Sequence, residues 1–149
     1  MAIRTLPGRL APSVPVQGGW RRLYCFPHSG AGAVVFAKWP DGLPSDVDVC
    51  VPCLPGRDAR IDEPPCAEMP LLVSNLAQEM LPQLSTAYAL YGHSMGAFIA
   101  FELALELSKH GHPPAHLFVS AQRGPKLPHP GKPIFALPEK QFLTAVLER

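Results

Sequence analysis

The 149-residue chain is predicted to fold as one α/β domain built on a mainly parallel sheet. Short runs that are apolar throughout, typical of strands buried on both faces, alternate with segments of helical period. Glycines and prolines separate these segments. Strands that alternate with helices favour a parallel sheet, because parallel neighbours need crossover connections.

The first strand is predicted at residues 22–26, an apolar and aromatic run that Pro27 ends. Residues 1–20 before it show no sustained period and contain several breakers, so we expect an irregular N-terminal lead-in. A second strand is predicted at residues 46–51, where the run Asp-Val-Asp-Val-Cys-Val is closed by Pro52.

Two helices are predicted further along the chain. Residues 70–84 carry an apolar stripe at every fourth position, with Pro70 tolerated in the first turn and Pro82 fraying the end. The stripe consists of Leu72, Leu76, Met80 and Leu84. Residues 97–109 are apolar almost all round and are followed by Gly111, a residue that commonly ends helices, so we expect this helix to be buried.

The remaining elements flank the second helix. Residues 88–91 and 115–120 are predicted as the third and fourth strands. A stretch rich in proline and glycine then leads to a last amphipathic segment at residues 138–147.

An acidic pair on the second helix is a candidate that we interpret as structural. Glu102 and Glu106 lie four residues apart on one face. We favour a polar edge near Lys109 over a catalytic pair of carboxylates.

Composition excludes several classes of function. The formal net charge is +1, and the basic residues form no run interleaved with aromatic residues, so we expect no nucleic-acid partner. No window is apolar enough to cross a membrane. The four cysteines have no secretory leader before them, which favours reduced thiols in the cytoplasm. Cys50 and Cys53 have C-x-x-C spacing without a second ligand pair, so we expect structural thiols, no metal and no cofactor.

The sequence Gly92-His93-Ser94-Met95-Gly96 fits the nucleophile elbow G-x-S-x-G, directly after a strand and directly before a long helix. Ser94 is the predicted catalytic nucleophile. The elbow needs a positive φ at the serine, and a Cβ at Gly92 or Gly96 would strike neighbouring backbone. We interpret His93, like His28, as structural.

A serine nucleophile also needs donors for the oxyanion that its attack creates. The backbone N–H of Met95 lies in the first turn of the new helix, where the helix dipole favours negative charge. The loop after the first strand, His28-Ser29-Gly30-Ala31-Gly32, is the expected source of the second donor. We nominate the N–H of Ser29, with Gly30 as the neighbouring alternative.

Four blocks make the sequence resemble the type II thioesterases of polyketide and nonribosomal peptide synthesis, a branch of the α/β-hydrolase fold that is also similar to medium-chain fatty-acyl thioesterases. The blocks are YCFPHSGAG at 24–32, LPGRDARIDEPP at 54–65, YGHSMGAFIAFELA at 91–104 and VSAQRGP at 119–125. The resemblance implies hydrolysis of acyl thioesters on the phosphopantetheine arm of acyl or peptidyl carrier proteins, through an acyl-serine at Ser94.

The resemblance also implies that residues 21–149 are a partial thioesterase domain with a lid-like region at 121–149. Phe135, Phe142 and Leu143 either line an acyl chamber there or belong to the core. We expect the strands that carry the acid and the base to be missing, as in a truncated product, an incomplete gene model or a shortened isoform. This polypeptide alone should then be nearly inactive.

The histidines after Ser94 support that expectation. His110, His112 and His116 flank the far end of a helix about 20 Å long, too distant for a base, and His129 alone could approach the serine. Two alternatives stay open: a noncatalytic module that binds acyl chains or carrier proteins, and a general carboxylesterase or lipase. The second is disfavoured, since the first loop reads FPHSGAG rather than the HGGG type.

Overall fold

The computed structural model describes residues 3–5, 22–84, 87–124, 127 and 137–147. Its strands are β1 (Ile3–Thr5), β2 (Arg22–Phe26), β3 (Asp48–Pro52), β4 (Tyr88–His93) and β5 (His116–Ser120). These strands form one sheet in the order β1-β3-β2-β4-β5. The last four strands in chain order pair in parallel, which confirms the predicted α/β class, and β1 pairs antiparallel to β3.

The helices are α1 (Trp39–Gly42), α2 (Met69–Met80), α3 (Met95–Lys109) and α4 (Glu139–Leu147), with 3-10 turns at Ala33–Phe36, Asp58–Arg60 and Leu81–Gln83. Pro70 lies in the first turn of α2, as predicted. Pro82 falls in the 3-10 turn that follows α2, because a proline cannot donate the next α-helical hydrogen bond. The sequence did not predict α1.

The lead-in prediction was wrong at one place. Ile3–Thr5 forms β1 and pairs with residues 50–52 of β3, where an irregular segment was expected. The pairing partner explains the difference: three residues are too few for a periodic signal, but an adjacent strand offers them a ladder of hydrogen bonds. The rest of residues 1–20 lies outside the described residues.

Both faces of the sheet are buried, and β2 shows how. Tyr24 and Phe26 point to one face and pack with α2 and α3, whereas Leu23 and Cys25 point to the other face and pack with Phe36. Successive side chains of a strand alternate between faces, so an unbroken apolar run is what a strand covered twice requires. Burial raises the pKa of the Cys25 thiol above its ordinary value.

Helix α3, which corresponds to the helix predicted at residues 97–109, is buried as predicted along most of its length. Its residues Ile99, Ala100, Leu103 and Leu107 are fully buried against the sheet and α2. Gly111 follows the helix with φ 80°, the left-handed conformation in which a glycine commonly ends a helix. In contrast, α4 has no buried residue. Among the described helices, none is both long and apolar enough to span a membrane.

Candidate active site

Ser94 lies in the turn between β4 and α3, with φ 53° and ψ −115°. The predicted positive φ is therefore observed, and it is rare for a residue with a side chain. β4 pairs on one side with β2 and on the other with β5, so the turn stands at the carboxyl edge of the sheet with a strand end on either side. Parallel α/β sheets bind ligands at this edge.

Both flanking glycines are needed for the turn, as the spacing predicts. A Cβ on Gly92 would lie 2.1 Å from the carbonyl oxygen of Gly96, and a Cβ on Gly96 would lie 2.0 Å from that of Phe26. No side chain fits at such distances. The second contact also shows that the first turn of α3 presses against the end of β2, where the loop with the predicted second donor begins.

Neighbouring backbone holds Ser94 in its strained conformation. Its N–H donates to the carbonyl of Ser120 over 2.9 Å, and its own carbonyl accepts the N–H of Ala97 over 2.9 Å. The Gln122 amide approaches the same carbonyl at 3.5 Å. Within the described part of the chain, the Ser94 hydroxyl makes no hydrogen bond. The Ser94 side chain is half-buried.

A polar network beneath the elbow was not predicted. The Ser120 hydroxyl lies 2.9 Å from the Tyr91 hydroxyl and 2.7 Å from Nδ1 of His93. The His28 ring meets the His93 ring edge to face, with centroids 5.7 Å apart. His93 thus contacts Ser120 and His28, which agrees with the structural interpretation of both histidines. The parallel pairing of β4 with β5 places Ser120 opposite His93, a neighbourhood that only the strand order reveals.

The loop of residues 28–32 leaves its candidate donors open. The Ala31 N–H donates to the His28 carbonyl over 3.2 Å and closes a turn, with Gly30 at φ 78°. Ser29 and Gly30 are exposed, and neither backbone N–H is bonded within the described residues. Met95 is the first residue of α3, where a helix has no internal acceptor for its N–H. The role of these amides as oxyanion donors stays a prediction, as does the choice between Ser29 and Gly30.

The other titratable candidates lie away from the elbow. Glu106 pairs with Lys109 at 2.8 Å and approaches His110 at 3.4 Å, and the Lys109 ammonium lowers the pKa of the Glu106 carboxyl. The predicted polar edge is thus observed for Glu106. The His112 carbonyl accepts a 2.6 Å hydrogen bond from Tyr88, and burial raises the pKa of Tyr88 to about 12. His129 and Phe135 lie outside the described residues.

Two small cavities adjoin the first turns of α3. One, of about 80 Å³, lies between Met95 and the 54–66 segment. The other, of about 100 Å³, lies between Phe98, Phe101 and β5. Phe142 and Leu143 lie on exposed α4 and line neither of these cavities. The core alternative is therefore wrong for these two side chains in the described structure.

The thiols of the C-x-x-C sequence are structural in their contacts. Cys50 and Cys53 are buried, and Cys53 Sγ donates to the Arg57 carbonyl over 3.2 Å. Among the described residues, no three histidines, cysteines or carboxylates cluster in a way that could hold a metal ion.

Comparison with known proteins decides the family. The thioesterase domain family matches residues 21–148. The chain belongs to this thioesterase family. The gramicidin S biosynthesis protein GrsT of Aneurinibacillus migulanus is 39% identical over 123 residues, which are 82% of this chain and 48% of that protein. The human medium-chain S-acyl fatty acid synthase thioesterase is 38% identical over 102 residues, 67% of this chain and 38% of that protein.

Solved thioesterase structures share the fold. ClbQ from the colibactin NRPS/PKS pathway superposes with a TM-score of 0.78 at 32% identity, covering 87% of this chain and 55% of that one. The type II thioesterase BorB from the borrelidin cluster superposes with a TM-score of 0.77 at 30% identity, covering 98% and 56%. The resemblance to type II thioesterases is confirmed. The chain spans about half the length of these relatives.

Proposed function

We propose that this thioesterase-family chain carries the nucleophile for hydrolysis of acyl thioesters on the phosphopantetheine arm of acyl or peptidyl carrier proteins. One observation carries the proposal: the Ser94 hydroxyl is unbonded among the described residues and sits at a strained turn beside unbonded backbone amides. The relatives that are named for gramicidin S biosynthesis and fatty acid synthase support the substrate class. Reduced thiols suit a cytoplasmic location, which belongs to the same proposal.

In the proposed reaction Ser94 Oγ attacks the thioester carbonyl carbon while a base takes its proton. The Met95 N–H and an N–H of Ser29 or Gly30 stabilise the oxyanion. The C–S bond then breaks, the leaving thiolate takes a proton, and the acyl group stays on Ser94 as an ester. Water attacks that ester, releases the acid and restores the hydroxyl.

The base is the part of the mechanism that the described residues do not supply. His28, His93, His110, His112 and His116 all lie in the described part of the chain, and none hydrogen-bonds to Ser94 Oγ. The proposal therefore takes the base from outside the described residues, and His129 is one candidate in this sequence. Without a base, a serine hydroxyl is a weak nucleophile at neutral pH.

An external base provides the test. We would measure hydrolysis of a short-chain acyl thioester by the 149-residue chain, with and without added imidazole, beside Ser94→Ala, His129→Ala and the exposed-serine control Ser45→Ala. We expect turnover close to that of Ser94→Ala without imidazole, and a rise with imidazole that Ser94→Ala lacks. Ser94-dependent turnover that His129→Ala abolishes would instead identify the base. An equal response of Ser94→Ala and the unsubstituted chain to imidazole would sink the proposal.

A noncatalytic binding module is the second candidate. The missing contact between Ser94 and any described base favours it, and the two cavities beside α3 offer apolar surface. A fluorophosphonate probe separates the candidates, because it modifies activated serines. The binding module predicts that Ser94 stays unlabelled even with imidazole, whereas the hydrolase predicts imidazole-dependent labelling. A general carboxylesterase is disfavoured by the thioesterase family match.

A further inference from the structure

The segment of residues 54–65 carries part of the family resemblance, yet the proposed reaction does not use it. Its backbone is tightly bonded: the Gly56 N–H donates to the Arg60 carbonyl over 2.9 Å, and the Arg57 N–H donates to the Leu54 carbonyl over 3.1 Å. The Arg60 guanidinium donates to the Cys53 carbonyl over 3.1 Å and to Glu63 over 2.7 Å. These hydrogen bonds hold the segment, here called the frame, in one conformation next to the end of β3.

Asp58 projects from this frame to the loop after β2. Its Oδ2 accepts the backbone N–H of Ala33 over 2.9 Å, a contact between residues 25 positions apart. Ala33 is buried and begins the 3-10 turn directly after the loop of residues 28–32. Asp58 itself has φ 45°, a conformation that costs free energy in a residue with a side chain. The backbone strain coincides with the residue that makes the contact.

Gly32 is shaped to admit this carboxylate. Its φ of −123° and ψ of −161° are extended values that any residue adopts, so its backbone does not call for glycine. A Cβ there would lie only 2.2 Å from Oδ1 and 2.6 Å from Cγ of Asp58. The carboxylate is therefore the reason that a side chain cannot fit at position 32.

We propose that Asp58 is a positioning residue that clamps the loop of residues 28–32 and so holds the amides of Ser29 and Gly30 for the oxyanion. The inference rests on the proposed function for its catalytic consequence. One end of the loop is fixed where Gly96 packs against the carbonyl of Phe26. The Asp58–Ala33 hydrogen bond fixes the other end, and a charged acceptor makes such a bond stronger than a neutral one.

The test compares Asp58→Ala with the isosteric Asp58→Asn, which keeps an acceptor, and with Asp62→Ala, the matched control for charge in the same segment. NMR relaxation of the Ser29 and Gly30 amides and hydrogen exchange of the Ala33 amide report the clamp without any need for activity. For Asp58→Ala we expect order parameters to fall from about 0.85 to below about 0.6 at Ser29 and Gly30. Exchange at Ala33 should become about tenfold faster.

Imidazole-dependent hydrolysis reports the catalytic consequence. Asp58→Ala should lower kcat about tenfold with little change in KM, because the clamp acts on the oxyanion and not on substrate binding. Asp58→Asn should keep most of the kcat of the unsubstituted chain, and Asp62→Ala should have the same kcat as the unsubstituted chain. Order parameters at Ser29 and Gly30 that stay unchanged in Asp58→Ala, with Ala33 exchange also unchanged, would overturn the inference.

A double substitution tests whether Gly32 and Asp58 act through one contact. Gly32→Ala alone should loosen the loop as Asp58→Ala does, because its Cβ displaces the carboxylate. Combined with Asp58→Ala it should add nothing, since the obstructing atoms are gone. Additive effects would contradict the shared contact. If imidazole gives no Ser94-dependent hydrolysis at all, the proposed function fails, while the relaxation and exchange data still decide whether Asp58 holds the loop.

Discussion

β2 and β5 are both five-residue strands that pair in parallel with β4, one on each side, yet they differ in burial. Phe26 in β2 is 0% exposed, whereas Phe118 and Val119 in β5 are 44% and 53% exposed. β2 has a strand on each side and packed residues over both faces. β5 is the last strand of the described sheet. Pairing with β4 makes each of them a strand, and coverage by other elements decides which is buried.

The two strands also support Ser94 in different ways. β2 acts by close packing, since the carbonyl of Phe26 leaves no room for a Cβ on Gly96. β5 acts through hydrogen bonds, because Ser120 accepts the Ser94 N–H with its carbonyl and contacts His93 with its hydroxyl. An exposed strand can therefore shape a site through its terminal residue alone.

The largest difference is expected when the two phenylalanines are truncated. Phe26→Ala should lower the free energy of unfolding by about 3–5 kcal/mol, because it empties a fully buried position. Phe118→Ala should cost under about 1 kcal/mol, since its side chain stays partly in water. Urea denaturation followed by circular dichroism measures both. Equal losses of unfolding free energy in the two variants would contradict the difference in burial between β2 and β5.

The glycine at the contact between β2 and α3 gives the next largest effect. Gly96→Ala should destabilise the fold by about 2–3 kcal/mol, because its Cβ would overlap the Phe26 carbonyl and force the backbone apart. Gly42→Ala is the matched control, as no atom lies within 4 Å of its Cβ position. We expect the control within about 0.5 kcal/mol of the unsubstituted chain by thermal denaturation. A tolerated Gly96→Ala would contradict the steric account.

A smaller effect is expected at the end of β5. Ser120→Ala removes the hydroxyl that contacts Tyr91 and His93, and the loss should be about 1–2 kcal/mol because both partners are part-buried. Ser108→Ala loses only a bond to the Ala104 carbonyl within α3 and should change stability less. Chemical denaturation gives the free energy of unfolding of both variants, and their difference measures what the Ser120 hydroxyl at the end of β5 contributes. If Ser120→Ala leaves stability unchanged, β5 supports the elbow only through the backbone hydrogen bond of Ser120.

The smallest effect on stability is expected from a charge on the exposed strand. Val119→Lys should change the free energy of unfolding by under about 0.5 kcal/mol, because more than half of the side chain is in solvent. It should nevertheless reduce self-association at high concentration, since a lysine disfavours contact with a second strand. Light scattering across a concentration series measures this.

The sequence predicted the local parts of this molecule well. The strand at 22–26, the elbow at residues 92–96 and the helix that ends before Gly111 all have signals within a few neighbouring residues, and the structure contains each of them. β1 was missed because its evidence lies in another segment, the edge of β3. Ser120 and Asp58 were missed for the same reason, since each acts on residues at least 25 positions away.

The sequence by itself determined most of the segments that become strands and helices, and it determined that Ser94 stands in a turn with no room for a side chain at Gly92 or Gly96. Only the tertiary structure decided that Ser120 lies under the elbow, that Asp58 bonds to Ala33, and that β5 is exposed while β2 is buried. The physical reason is the separation along the chain over which each interaction acts. Periodicity, turn chemistry and steric limits act between near neighbours in the chain, whereas hydrogen bonds and burial between distant segments depend on strand order and register.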